Sequence, residues 1–370
     1  MTDMAEKAIR LGGESTAGAI VSAVDSLYPE HTFEDKEFAL KHNDDEISVD
    51  TNFAAQNFWK EALIRFFNKK SAVLGLILIV VIVLLAVFGP GMNSYTYSGQ
   101  DLSQKNFAPR VPGIERLGIL DGSEKMSTTT GSKSVNAYVE KGKDDVYYWF
   151  GSDLYGRDIW TRTWEGARVS LIIAVAAAVI DMVIGMSYGL ISGYFGGRVD
   201  MVMQRFLEVA NGIPRLVIVT LLLLVLQPGM VTIIFALMLT EWVGMSRIAR
   251  AEMLKLKDQE FVLASRTLGA GSFFIIFKEV LPNIIGPIIT QVMFSIPTAI
   301  FTEAFLSFVG LGIPVPQCSL GSLISELYNS FTTHPYQIIP PIVVMSLLML
   351  SFNLVADGLR EALDPKMKSM

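Results

Sequence analysis

The chain has 370 residues, 51% hydrophobic and 18% charged, which is more apolar surface than a single globular core uses. Its formal charge of −6 traces to an acidic run between Glu30 and Asp50, without which the chain is near neutral. One cysteine, Cys318, and three scattered histidines exclude an internal disulfide and offer no metal ligand set, and the motifs G-x-x-x-x-G-K and H-E-x-x-H are missing, which argues against an enzyme.

In chain order, residues 1–57 read as an acidic extension without the apolar core of a cleavable signal, so the N-terminus is expected in the cytoplasm. Residues 58–91 hold an amphipathic segment and a first span, Ser71 to Phe88. Residues 92–167 form a long extracytoplasmic loop whose middle, Asp121 to Lys143, is polar, rich in Gly, Ser and Thr, and expected to be weakly ordered. Its end, Tyr147 to Phe150, suits an interface. Whether this loop is a lid, a docking surface or a plain insertion is open.

Residues 168–358 carry five further spans. Val169 to Ser192, Ile284 to Val309 and Ile338 to Ala356 are long enough alone. Leu216 to Leu226 and Val231 to Leu239 are too short alone and read as a hairpin around Gln227, Pro228 and Gly229. The first arm is expected to begin upstream, through Arg205 to Pro214, kinked but continuous at Asn211 to Pro214. Gly185 and Gly189 in the second span permit close helix contact, within the bundle or against a partner.

Lys and Arg gather before the first span, after the second, after the fourth and in the 359–370 tail at Arg360, Lys366 and Lys368. The short loops Gln227 to Met230 and Gly310 to Gln337 have none, so six crossings place both termini in the cytoplasm. Charges within spans cost about 2.5 to 3.5 kcal/mol on insertion scales, which makes Asp181 and Glu303 candidates for a hydrated pathway or an intramembrane pair. Arg215 and Glu241 are expected near the cytoplasmic ends of their spans.

The cytoplasmic loop 249–283 is the most informative. It runs EFVLASRTLG from Glu260 to Gly269, then nine residues from Ala270 to Lys278, then EVLPN from Glu279 to Asn283, a pattern of helix, glycine turn, helix and proline. Ala264 and Ser265 are small enough to let another protein approach. This loop resembles the cytoplasmic signature of permease subunits of ABC importers, with Gly269, Leu281 and Pro282 in register. Leu263 stands where an acid is usual, Ser265 replaces the second alanine and Glu279 replaces an isoleucine; the fuller string Phe261 to Ala270 with Val280 to Asn283 resembles the peptide-transport branch, where the acid is commonly absent. The strings GSDLYGRD from Gly151, GYFGGRVD from Gly193, EAFLSFVGLG from Glu303 and FNLVADGLREALDP from Phe352 are similar to C-type dipeptide and oligopeptide permeases.

The resemblance implies an all-α membrane protein with the six-helix fold of type I ABC importer permeases. Its coupling loop would comprise Glu260, Leu263, Ala264, Ser265, Arg266, Gly269, Ala270, Leu281 and Pro282. The implied partners are a homologous second permease subunit, two cytoplasmic ABC ATPases that use ATP and Mg, and an extracytoplasmic peptide-binding protein. The chain itself binds no cofactor or nucleic acid in this reading, and it sits in the plasma membrane. Two alternatives stay open: an ion-coupled secondary carrier, against which the lack of an inverted repeat counts, and a membrane scaffold that transports nothing.

Overall fold

The computed structural model describes residues 58–363 apart from 129 and 130; side chains are described for these except Phe58, residues 125–133, Arg215 and Leu224. The acidic extension, Lys366 and Lys368 lie outside the described residues. Helix α1 (Phe58–Asn68) buries Ala62 and Phe66 and leaves Leu63, Ile64 and Phe67 exposed. It is followed by α2 (Lys70–Phe88), an apolar helix of 19 residues that rises about 28 Å, one bilayer core. Lys69, between them, pairs with Glu361 at 2.5 Å and so ties this corner to the end of the last helix.

Residues 92–158 fold onto themselves. Phe107, Tyr138 and Tyr148 form a buried aromatic core, with the Tyr138 hydroxyl donating to the Ala108 carbonyl at 2.8 Å. Within the stretch expected to be weakly ordered, β1 (Ser123–Thr128) pairs antiparallel with β2 (Gly131–Asn136), and α3 (Ala137–Glu140) follows, capped by the Asn136 side chain. The composition of Asp121 to Lys143 misleads because its ordering contact is non-local: Tyr138 is pinned by Phe107, 31 positions earlier. The loop is also tied to the bundle. Gln337, just before the last helix, donates to Asn106 at 3.0 Å and to the Ser152 carbonyl at 2.9 Å, and His334 pairs with Glu124 at 2.9 Å.

The second span is one long rod of 37 residues, α4 (Ile159–Ile180), a π turn at Asp181–Gly185, and α5 (Met186–Phe195). After a turn at Gly196 and Gly197, both with positive φ, come α6 (Gly197–Gly212) and α7 (Arg215–Val225). Here the expectation of a kinked but continuous helix fails. Ile213 and Pro214 are extended, with ψ of 124° and 128°, and the helices on either side meet at 76°. Proline disfavours the α conformation of the residue before it, so Ile213 ends the helix instead of bending it.

Helices α8 (Met230–Thr240) and α9 (Trp242–Leu256) join into one span of 27 residues. Glu241 therefore lies mid-span and not at a cytoplasmic end. The apolar run Val231 to Leu239 is too short to cross, and the helix continues through residues that pack on α5. Short helix α10 (Glu260–Thr267) and α11 (Ser272–Phe274) lead through a π turn into α12 (Leu281–Leu306). Helix α13 (Leu320–Tyr328) lies between the last two spans, and α14 (Ile339–Leu363) closes the chain. Among the described residues five spans are long and apolar enough to cross a membrane, or six if the bent α6–α7 pair is counted as one. The fold is the expected all-α membrane bundle, with one added hairpin.

The tightest seam joins α5 to α9. A Cβ on Gly189 would sit 2.1 Å from the Ser246 carbonyl oxygen, one on Gly185 2.5 Å from that of Trp242, and one on Gly193 3.0 Å from that of Arg250. The small-residue face thus serves packing within this chain. Gly189→Val should destabilise the purified protein by about 1–3 kcal/mol or more, seen as a lower melting temperature in detergent. Gly244→Val, on the same helix pair with open space around its Cβ, should change it little.

Candidate functional site

Loop 249–283 hangs from α9 and α12. Glu260 opens α10, and Leu263, Ala264 and Arg266 all face outward, with Ser265 half-buried. Val262 is the buried anchor, packed among Leu190, Met253, Ile275 and Ile276 at the ends of α5, α9 and the π turn. The helix ends in a Schellman arrangement: the Gly269 amide donates to the Arg266 carbonyl at 3.1 Å and the Ala270 amide to that of Ser265 at 3.0 Å. This requires a left-handed residue at Gly269, whose φ is +82°. Leu268 beside it is 87% exposed, and Phe273 projects nearby.

Proline in the last part of the loop does less than its sequence suggests. The helix that becomes the fifth span already begins at Ser272, and Pro282 sits in its interior. Lacking an N–H, Pro282 cannot bond the carbonyl one turn back, and the turn before it widens to a π turn, Ile275–Val280. Asn283 donates its side-chain amide to the Glu279 carbonyl at 2.7 Å. Leu281 is half-buried at the start of α12.

Two contacts tie the loop to the end of the second span and to the start of α6. Arg266 lies over the Tyr194 ring at 5.4 Å, and Arg250 grips Asp200 with two hydrogen bonds of 2.6 Å. Sequence reasoning missed the second pair. Its signal was an aspartate three residues after a double-glycine turn.

Asp181 and Glu303, the two acids expected in a pathway or an intramembrane pair, are both interior. Asp181 opens the π turn of the second span and is buried. Glu303 is fully buried and accepts from three serines, Ser170 at 3.2 Å, Ser307 at 2.7 Å and Ser319 at 2.5 Å. Its partners come from α4, the end of α12 and the cap of α13, so it knits three elements. The structure does not bring Asp181 and Glu303 together as one site.

A second charged cluster was unforeseen. Arg162 and Arg157, both buried, share Asp153, at 2.8 and 2.7 Å, and both reach Glu326 on α13, Arg162 at 2.7 Å. The cluster holds two positive and two negative groups, and each buried charge has an opposite partner. Cys318, in the same corner, is buried with its thiol toward the Arg162 carbonyl, and burial pushes that thiol up.

The fold and these sites define a polytopic membrane protein with a structured loop, 249–283, between two of its spans. Residues 185–369 match the model of the binding-protein-dependent transport system inner membrane component, and residues 57–109 match that of the N-terminal TM domain of oligopeptide transport permease C. The oligopeptide transport system permease protein OppC of Bacillus subtilis is 42% identical over 312 residues, covering 84% of this chain and 91% of the relative. The dipeptide transport system permease protein DppC of Lactococcus lactis is 41% identical over 318 residues, covering 84% and 92%. The chain belongs to the binding-protein-dependent transport permease family, and it is an integral membrane protein. Among solved structures, the MetNI methionine ABC transporter in an inward-facing conformation aligns with a TM-score of 0.47 at 16% identity, over 55% of this chain and 96% of that one.

Burial pushes the Glu326 carboxyl up, but Arg162 and Arg157 outweigh burial and hold it below its ordinary value of 4.5. A depressed folded value means that the cluster's contribution is complete above pH 4.5 and is lost as pH falls through that lower value. Thermal melts should therefore show an acid-side loss below pH 4.5 that Glu326→Gln flattens, with a lower melting temperature at neutral pH. Arg162→Met, which leaves two carboxylates short of a partner, should cost about 3–5 kcal/mol in the same assay.

Proposed function

We propose that this chain is a pore-forming subunit of an ATP-driven peptide importer, and that α10 is the element through which a cytoplasmic ATPase moves it. One observation carries the reading: α10 presents Leu263, Ala264, Arg266 and Leu268 outward while Val262 plugs it into the ends of α5, α9 and α12. A push on the exposed face is delivered to three spans through one buried contact. The pairs Arg266 with Tyr194 and Arg250 with Asp200 brace the same corner, so the displacement would pass to the bundle as a rigid-body motion. Peptides as the cargo are supported by the names of the relatives, which are oligopeptide and dipeptide transport permeases.

In this reading the chain shares its pore with a homologous permease, receives substrate from an extracytoplasmic peptide-binding protein, and alternates access as two partner ATPases close and open on ATP and Mg. The chain supplies the pore and the lever and binds no cofactor of its own. Asp181 and Glu303 act as intramembrane ties, which is favoured by their interior placement and, for Glu303, by three serine donors. Both termini lie in the cytoplasm, which follows from the Lys and Arg distribution.

Leu268→Glu tests the lever. The side chain is exposed, so the melting temperature should stay within about 0.5 kcal/mol equivalent of the parent. ATP-driven uptake and binding-protein-stimulated ATPase activity in proteoliposomes of the assembled transporter should fall by tenfold or more, on the order of one buried apolar anchor. Gly269→Ile should do the same through the turn, since its left-handed φ costs a β-branched residue about 1–2 kcal/mol although the space around it is open. Unchanged uptake in both variants would refute the assignment. For orientation, Cys318 is too buried to report, so a cysteine is placed at exposed Val315 in a Cys318→Ala background. An impermeant maleimide should label Val315→Cys in intact cells, and labelling only after permeabilisation would invert the topology.

A further inference from the structure

Helix α1 divides its apolar side chains between two directions. Phe66 turns inward, among Ala72 of α2 and Val355, Leu359 and Ala362 of α14. The fit there is tight: a Cβ on Gly358 would stand 2.3 Å from that of Ala72 and 3.2 Å from the Phe66 ring. Leu63, Ile64 and Phe67 turn outward and are 56%, 52% and 55% exposed. Two features set the depth of this outward face. Lys69 is extended, with ψ of 101°, and so breaks the axis between α1 and α2. Because Phe66 packs on Ala72, in the first turn of α2, α1 lies beside the end of the span and not ahead of it. Helix α2 is one bilayer core long, so its first turn marks the boundary between hydrocarbon and headgroups.

What covers the face follows from continuity and from charge. The span that α1 leads into is the least buried of the five, 28% over its most apolar stretch against 39–44% in the others, and Leu74, Ile77 and Val81 stand exposed along it. In an integral membrane protein such a span meets lipid, and an apolar face at its end meets the same leaflet. The cations agree with this. Arg65 is committed to Glu61 and Lys69 to Glu361, whereas Lys60 and Lys70 are exposed and form no ion pair among the described residues. Lys60 lies one turn before Ile64, so its stem can run along the apolar face and carry the ammonium to a phosphate. A helix with one face apolar and lysines uncommitted suits an interface with anionic headgroups.

We propose that α1 lies in the headgroup layer at the N-terminal end of the first span, with Leu63, Ile64 and Phe67 immersed among acyl chains and Lys60 and Lys70 on the phosphates of anionic phospholipids. Through Phe66 and the Lys69–Glu361 pair, the same lipids steady the end of α14. The contact is independent of the cargo and of the direction in which the chain is inserted.

The test uses the full chain, in a Cys318→Ala background, in nanodiscs of phosphatidylcholine and phosphatidylglycerol. A nitroxide on Leu63→Cys should collide with oxygen dissolved in lipid and be shielded from an aqueous nickel chelate, while one on Asn68→Cys, exposed on the polar side, should show the reverse. Phe67→Cys serves if Leu63→Cys does not fold. A fluorophore at the same apolar position should be quenched by brominated phosphatidylglycerol in preference to brominated phosphatidylcholine, by about fivefold in relative association for each lysine. Lys60→Gln, at an exposed position, should lower that preference by about fivefold and leave the nitroxide pattern unchanged. Nickel chelate reaching the apolar position as freely as Asn68→Cys would show that α1 stands in water. A label there reached by neither reagent would show that protein covers the face. Either result, or equal quenching by the two lipids, overturns the proposal.

Discussion

Between the second and fourth spans there is room for a hydrogen atom but not for a methyl group. The Ser246 carbonyl oxygen occupies the place where a Cβ of Gly189 would stand, and Gly185 and Gly193 repeat the arrangement one turn to either side. In a bilayer, apolar side chains gain nothing by leaving lipid for one another, so helix association draws on close backbone approach and buried polar ties. The glycine seam provides the first. It fixes α9 against α5, and because α9 runs on into loop 249–283, it also fixes where α10 hangs.

The second kind of tie accounts for the buried charges. Asp153, Arg157, Arg162 and Glu326 join the entrance of the second span to α13, while Glu303 gathers serines from three elements nearby. These groups stand where the span entrances, the 92–158 fold and α13 meet, and together they make that end a welded platform. The other end is built differently. There α10 rests on one buried valine and a stacked arginine, beside the Arg250–Asp200 pair that joins α9 to α6, with Leu263 and Leu268 left outward. A rigid end and a thinly attached end suit a protein that is moved from one side, and this contrast underlies the proposed lever.

Several particulars show where sequence logic ran short. The stretch Asp121 to Lys143 has the composition of a flexible linker, yet it forms a hairpin and a capped helix, because Tyr138 reaches Phe107 and Glu124 reaches His334, 210 positions away. Glu241 was placed at a span end since the apolar run stops at Leu239; the helix continues because α5 covers it, and a helix covered by protein needs less hydrophobicity than one facing lipid. Pro214 and Pro282 behave differently, although the sequence offers a kink at the first. The first ended its helix and the second was absorbed into one, a choice that depends on whether a widened turn and a donor such as Asn283 are at hand.

The amino-acid sequence alone determined the membrane as solvent, the approximate place of each span and the turn at Gly269. These are local properties: spans need only length and apolarity, and a Schellman turn needs only a residue free to adopt positive φ. Tertiary structure alone decided which neighbours the intramembrane acids meet, that the small-residue face is spent on α9, that Cys318 is buried, and that Arg157 and Arg162 share two carboxylates with one on a helix 164 positions away from Arg162. Each is a pairing between distant segments. Composition and spacing record what a residue can do, whereas the fold supplies the partner with which it does it.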